Sequence, residues 1–261
     1  MSEFYLFDFL PLWIIFFCLV LLILLSTWSG VAFVRSRKES IESAEFGHLN
    51  TVVGAMLGLL AFILAFSFNF TTSRFDARKA YLLQEINAIE TTWLRAGLIS
   101  EPQSSEVKDL LLEYVALRVE TAKHPEKIEE VVGQSIVIQQ KIWFQVTELS
   151  KNERRNDAFN ALFVEAVNEM FDHQTKRLTV TLSYRIPTLI WVALFFLIMI
   201  SMFAVGYLFG KKKERNWYII LALSMAFSIV VLIIIDLDST SGIIQINYEP
   251  IFDLYQRLLN G

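Results

Sequence analysis

The chain has 261 residues, 54% of them hydrophobic and 22 of them phenylalanine, with a mean hydropathy of +0.47 and a formal charge of −4. That composition excludes a water-soluble globular protein, and the weak net charge excludes the basic face that nucleic acid requires. A single cysteine, Cys18, excludes an intrachain disulfide framework and a cysteine-based metal site.

Residues 1–9 are acidic (Glu3, Asp8) and aromatic, with no basic n-region. The run Leu10 to Val34 is uncharged, too long for a signal peptide core, and no A-x-A pattern follows it. It is predicted to be a first membrane span (about 10–34), with Trp13 and Trp28 as interfacial anchors. Arg35, Arg37 and Lys38 follow, then a polar loop with Glu39, Glu42, Glu45 and His48.

Span two, 49–70, passes without a break into TSRFDARKAYLLQEINAIETTWLRAG. No proline occurs between Pro11 and Pro102, and no glycine between Gly58 and Gly97. The spacing predicts one helix that leaves the bilayer and continues into water. Phe62, Phe66 and Phe70 fall four apart, and Arg74 and Arg78 keep that interval, so all five share one side of the helix. Beside them Gly54, Gly58, Ala61 and Ala65 form a small-residue stripe that opens with G-x-x-x-G and suits close helix packing in lipid.

The aromatic ladder has two readings. One is packing against lipid or another helix. The other is an apolar constriction of an ion path, which gates by dewetting and offers positive ring edges to an anion. Asn69 has the same two readings, a helix contact or a contact with a passing ion. Arg74, Arg78 and Lys79 read either as interfacial anchors or as a basic vestibule that concentrates anions.

The middle, 71–185, holds 15 Lys/Arg against 17 Asp/Glu and reads as nearly all helix. Glu85, Asn87 and Glu90 are expected to make polar contacts between helices or subunits. Ser100-Glu101-Pro102-Gln103 fits a capping box that starts a helix over about 101–122. His124-Pro125 breaks it, and a third helix follows to about Ser150. After a polar turn at 151–156 comes a fourth, about 154–184. Glu165, Glu169 and His173 share one face of it beside Asp172. They lack the E-x-x-H spacing of carboxylate metal bundles and read as a solvated surface.

Pro187 marks the entry to span three, 186–210. Lys211, Lys212, Lys213, Glu214 and Arg215 form the next loop, and span four covers 216–235. In the tail, Asp236 and Asp238 read as interfacial caps or a candidate cation site. The IIQIN run at 243–247 reads as a short strand or an extended clasp.

The fold class expected is an all-α integral membrane protein of four transmembrane helices with an extramembrane bundle of long helices. Its divisions are 1–70, 71–185, 186–235 and a tail at 236–261. The short loops hold Arg35, Arg37, Lys38, Lys211, Lys212, Lys213 and Arg215, so the positive-inside rule puts them in the cytoplasm and the helical domain outside it. No nucleophile elbow, Walker loop, G-x-G-x-x-G or H-E-x-x-H occurs, and no enzyme activity, cofactor or metal is expected.

Residues 58–98, with RFDxRK (Arg74, Phe75, Asp76, Arg78, Lys79), then Glu85, Asn87, Ala88, Ile89, Leu94 and Arg95, resemble the bacterial bestrophin-like domain family. So does the tail, Asp236-Leu237-Asp238, then Gly242 to Ile246, then Glu249-Pro250, although Ser239-Thr240 stand where that family commonly has a proline. The resemblance implies a bacterial inner-membrane protein that self-associates, five subunits being expected, and conducts small inorganic ions, with anions preferred. It places Phe62, Phe66 and Phe70 at an apolar neck. Bestrophins keep their helical domain in the cytoplasm and carry a dense acidic calcium clasp. Here the loop charges argue the opposite side, and the tail start offers only Asp236 and Asp238. The competing expectation is a non-conducting scaffold or sensor whose helical domain binds a partner.

Overall fold

The computed structural model describes residues 10–37, 43–151, 158–211, 217–239 and 242–260. The aromatic N-terminal segment, Lys38 and the loop glutamates Glu39 and Glu42, most of the polar turn after Lys151, the loop residues Lys212, Lys213, Glu214 and Arg215, and Thr240-Ser241 lie outside the described residues. Among the described residues, eight α-helices occur in order: α1 (Leu12–Arg37), α2 (Ser43–Ala96), α3 (Gln103–Lys123), α4 (Ile128–Ser150), α5 (Ala158–Leu178), α6 (Thr188–Lys211), α7 (Trp217–Asp238) and α8 (Glu249–Asn260). No strand occurs among the described residues, so the IIQIN run is not one.

The chain forms two compact units, one of residues up to Phe75 with Tyr184–Ile244, the other of Asp76–Ser183 with Gln245–Gly261. α2 begins in the first and ends in the second. Its 54 residues are one uninterrupted helix, as the lack of Pro and Gly beyond Gly58 requires. Among the described residues, four helices are long and apolar enough to cross a membrane, and the spans expected from the sequence fall on α1, the first part of α2, α6 and α7.

In the first unit, Ile15, Leu19 and Ile23 of α1 pack with Leu60 and Leu64 of α2, Leu194, Ile198 and Met202 of α6, and Val231 and Ile234 of α7. α1 and α6 approach to backbone contact. A Cβ on Gly206 would lie 1.9 Å from the Thr27 carbonyl oxygen, and one on Gly30 would lie 2.1 Å from that of Phe203. The Ser26 hydroxyl donates to the Met199 carbonyl at 2.6 Å across the same seam. Gly206 and Gly210 form a G-x-x-x-G that the sequence reading passed over in favour of the one on α2.

Gly206→Ala is therefore expected to force the two helices apart. It should cost about 1–3 kcal/mol, typical of overpacking a core. Gly133→Ala is the control. That glycine is exposed inside α4, with open space around its missing Cβ, and alanine there should gain about 0.5–1 kcal/mol. Thermal unfolding of the detergent-extracted variants checks the opposite signs.

In the second unit, each helix buries a stripe at intervals of three and four. α2 contributes Leu82, Ile86 and Ile89, and α3 contributes Val107, Leu111 and Tyr114. Ile138 and Ile142 of α4, Phe163 and Met170 of α5, and Ile251 and Leu254 of α8 close the core.

Two boundaries differ from expectation. The capping box does not form: α3 starts at Gln103 without a side-chain cap from its N-cap residue. Instead the Glu101 carboxylate accepts the Ser105 N–H at 3.2 Å. An acidic group at a helix N-terminus meets the same orphan donors and the positive dipole end. The fourth soluble helix stops at Leu178 rather than running to 184, and a π-turn over Thr179–Ser183 follows. The β-branched Thr179, Val180 and Thr181 lose rotamer freedom in a helix, and Pro187 disfavours helical geometry at the residue before it.

Candidate functional site

The membrane part of α2 has two distinct sides. Leu60 and Leu64 are buried, at 0% and 4% exposure, within the first unit's core. At 3.6 residues per turn, Phe62 and Phe66 lie roughly 160–200° around the helix from Leu64. They are 67% and 58% exposed, and Phe70, which winds back toward the core side, is 41% exposed. Asn69 is exposed at the end of the same face. The protomer thus turns a ladder of rings, ended by an amide, away from its own core.

The small-residue stripe lies between those two sides. Gly54 and Gly58 have open space where a Cβ would stand. Ala61 and Ala65 line an apolar groove whose other wall is Leu223, Phe227 and Val230 of α7. Among the described residues, no helix closes on the two glycines.

Arg74 and Asp238, two separate candidates in the sequence, meet. The Arg74 Nη1 group donates to the Asp238 carboxylate at 2.5 Å and to its carbonyl oxygen at 2.9 Å, with both side chains almost wholly buried. The Ile186 backbone N–H donates to the same carboxylate at 3.2 Å. Asp238 therefore ties the end of α7 to α2 and to the segment before α6. The Arg74 guanidinium thus lies buried inside the protomer against Asp238 rather than at the surface.

Asp236 is a different device. Its two carboxylate oxygens accept the N–H groups of Ile243 and Ile244 at 2.6 and 2.8 Å. A Cβ on Gly242 would lie 2.4 Å from that carboxylate and 2.7 Å from the Asp236 carbonyl. The two aspartates of the candidate cation site are thus held by protein groups, and no cluster of three or more potential metal ligands exists among the described residues. Gly242→Ala should loosen the tail, read as faster hydrogen exchange at the amides of Ile243 and Ile244.

In the second unit Arg78 is buried and Lys79 is exposed, the latter in a surface ion pair with Asp76 at 2.7 Å. Such pairs contribute little.

The strongest polar cluster is one the sequence did not announce. Glu85 of α2 is 1% exposed and meets Arg177 of α5, which donates from Nε, and Arg118 of α3, whose Nε lies 3.4 Å away. The Tyr114 hydroxyl donates to the Glu85 carboxylate at 2.9 Å and lies 2.6 Å from the side-chain oxygen of Gln174. Arg118 also donates from Nη2 to the Ser135 hydroxyl at 2.5 Å and stacks on the Tyr114 ring at 4.6 Å. Burial alone would push the Glu85 carboxyl up. The charges of Arg177 and Arg118 and the hydrogen bonds from Tyr114 and Arg177 outweigh it and hold that carboxyl below its ordinary value. Burial pushes the Tyr114 hydroxyl well above the ordinary phenol range.

A family model described as the Bestrophin-like domain matches residues 17–251. The chain belongs to the Bestrophin-like domain family. Crystal structures share the fold at low identity. A structure described as a membrane protein is 13% identical, with a TM-score of 0.66 over 95% of this chain and 97% of that one. A bacterial bestrophin homolog from Klebsiella pneumoniae is 12% identical. One point variant of it gives a TM-score of 0.64 over 95% and 97%, and another of its crystal structures gives 0.58 over 96% and 98%. No curated protein matches the sequence.

Within this family fold, the sequence marks Glu85 only as a polar contact and assigns no site role to Arg118, Arg177 or Tyr114. A signal was present: Arg118 and Arg177 sit in register with apolar stripes, Arg118 one turn after Tyr114 on α3 and Arg177 one turn after Gln174 on α5. A charge on a core stripe asks for a buried partner.

Proposed function

We propose that the chain is one protomer of a homo-oligomeric ion channel that prefers anions, with α2 lining an apolar neck. The observation that carries this reading is the pair Phe62 and Phe66, exposed on the side of α2 opposite its buried leucines. Rings on that side face either lipid or a shared lumen. The exposed Asn69 on the same face favours the lumen, because an amide is poorly accommodated against hydrocarbon. Membership of the family adds to it, since its fold is that of a bestrophin homolog. Five protomers form the ring in this reading, and the open flank at Gly54, Gly58, Ala61 and Ala65 receives a neighbour's helix. Of the three basic candidates, Lys79 is the exposed vestibule cation.

Phe66→Ala widens the constriction, and unitary conductance in planar bilayers should rise several-fold. A purified oligomer silent under varied ions and voltages would sink the channel reading, and an unchanged conductance would move the rings to lipid. The protein resides in a bacterial inner membrane, with the seven basic residues of the short loops inside and the helical unit outside. Reporter fusions at the C-terminus test the side, since a cytoplasm-active reporter that lights up there reverses it.

A second reading is a scaffold or sensor whose helical unit binds a partner. A groove between α3 and α4 favours it: Leu110, Val137 and Phe144 form its apolar floor, and Glu106, Asp109 and Lys141 its charged edges. An oligomer with no central opening would decide for this reading.

A further inference from the structure

Two guanidinium groups and one carboxylate share the core of the helical unit. Arg118 and Arg177 bring two positive charges and Glu85 brings one negative. Arginine keeps its proton in proteins, so neither can discharge the excess. The remaining hydrogen-bonded polar neighbours, Tyr114, Ser135 and Gln174, with Gln139 beyond Gln174, are neutral side chains. One buried positive charge is left over, and an uncompensated buried charge is strongly destabilising.

The nitrogen atoms show where compensation is missing. Arg177 Nη2 and Arg118 Nε are buried without a hydrogen-bond partner, Arg118 Nε lying only within ion-pair range of Glu85. The Tyr114 hydroxyl is engaged with Glu85 and Gln174, and the Ser135 hydroxyl donates to the Val131 carbonyl while accepting from Arg118 Nη2, so neither supplies a negative charge. Water at these nitrogens would satisfy their N–H groups and leave the charge. An acceptor carrying one negative charge satisfies both.

We infer that the helical core binds one small monovalent inorganic anion of the halide class, held by Arg177 Nη2 and Arg118 Nε. A divalent oxyanion would overshoot the surplus and offer more acceptor oxygens than there are open donors. Glu85, Arg118 and Arg177 belong to the second unit and the exposed rings to the first, so this site is distinct from the proposed neck and stands whether or not the protein conducts.

The full-length protein in detergent is heated in sodium chloride or bromide and in sodium gluconate at equal ionic strength. The unfolding midpoint should rise with halide by several degrees and saturate. Arg177→Gln leaves one arginine against Glu85, a balanced core, and should abolish that dependence. If this variant does not fold, crystals of the unaltered protein grown in bromide decide. An anomalous peak in contact with Arg177 Nη2 supports the site. Equal midpoints in halide and gluconate, or water density without anomalous signal at that nitrogen, overturn it.

Discussion

Glu85→Ala is expected to unfold the helical unit. The substitution removes the only carboxylate that Arg118 and Arg177 reach among the described residues, and it strands the Tyr114 hydroxyl. Breaking a buried ion pair from one side costs about 3–5 kcal/mol, because the partner charge stays behind. Here two charges stay behind. Against a total stability of roughly 5–15 kcal/mol, that loss is enough to leave the unit open at physiological temperature. Limited proteolysis of the detergent-extracted protein should then cut within 76–183, while the membrane helices survive. Tyr114→Phe provides the scale: it removes one hydrogen bond and keeps the ring, and should cost about 1 kcal/mol. A protease-resistant Glu85→Ala would mean that the cluster contributes little.

The same cluster has a pH signature. Glu85 is held below its ordinary value of 4.5 when folded, so its ionised form stabilises the fold above that value. The contribution is lost as pH falls through the depressed folded value. Acid unfolding of the helical unit should therefore extend below pH 4.5, and Glu85→Gln, which has no proton to take up, should lose that part of the slope.

Arg74→Ala should damage the membrane unit to a similar extent. It leaves the buried Asp238 carboxyl without the guanidinium that faces it, with the Ile186 N–H still bonded to it. A cost of about 3–5 kcal/mol is expected, read as a lower unfolding midpoint and lower yield on extraction. A double-mutant cycle with Asp238→Ala separates pairing from burial. Since the two groups are in direct contact, the double variant should be less damaged than the sum, by about 1–3 kcal/mol. Strict additivity would mean that each group acts through other neighbours.

The membrane helices were legible because hydropathy is a property of the chain itself. A run such as Leu10 to Val34 cannot be placed in water whatever its neighbours do. The continuity of α2 was legible for the same reason, since proline and glycine act locally. The helix ends were less so. The start of α3 has a Ser-x-x-Gln pattern, yet Glu101 supplies the cap, because the chain offered two acceptors and geometry chose one. The pairing of Arg74 with Asp238 joins residues 164 positions apart, and no spacing rule reaches that far.

What the sequence determined by itself is the class of object: four apolar helices, one of them running on into a charged bundle, and a side of that helix bearing Phe62, Phe66, Asn69 and Phe70. Only the tertiary structure decided which glycine pair touches another helix. Gly54-x-x-x-Gly58 and Gly206-x-x-x-Gly210 read alike, but the second meets the backbone of α1 and the first meets open space. It also decided which charges are paired and buried. Periodicity fixes the direction in which a side chain leaves its own helix, whereas the partner it finds depends on how separate helices are brought together, and that arrangement is set by the packing of the whole core.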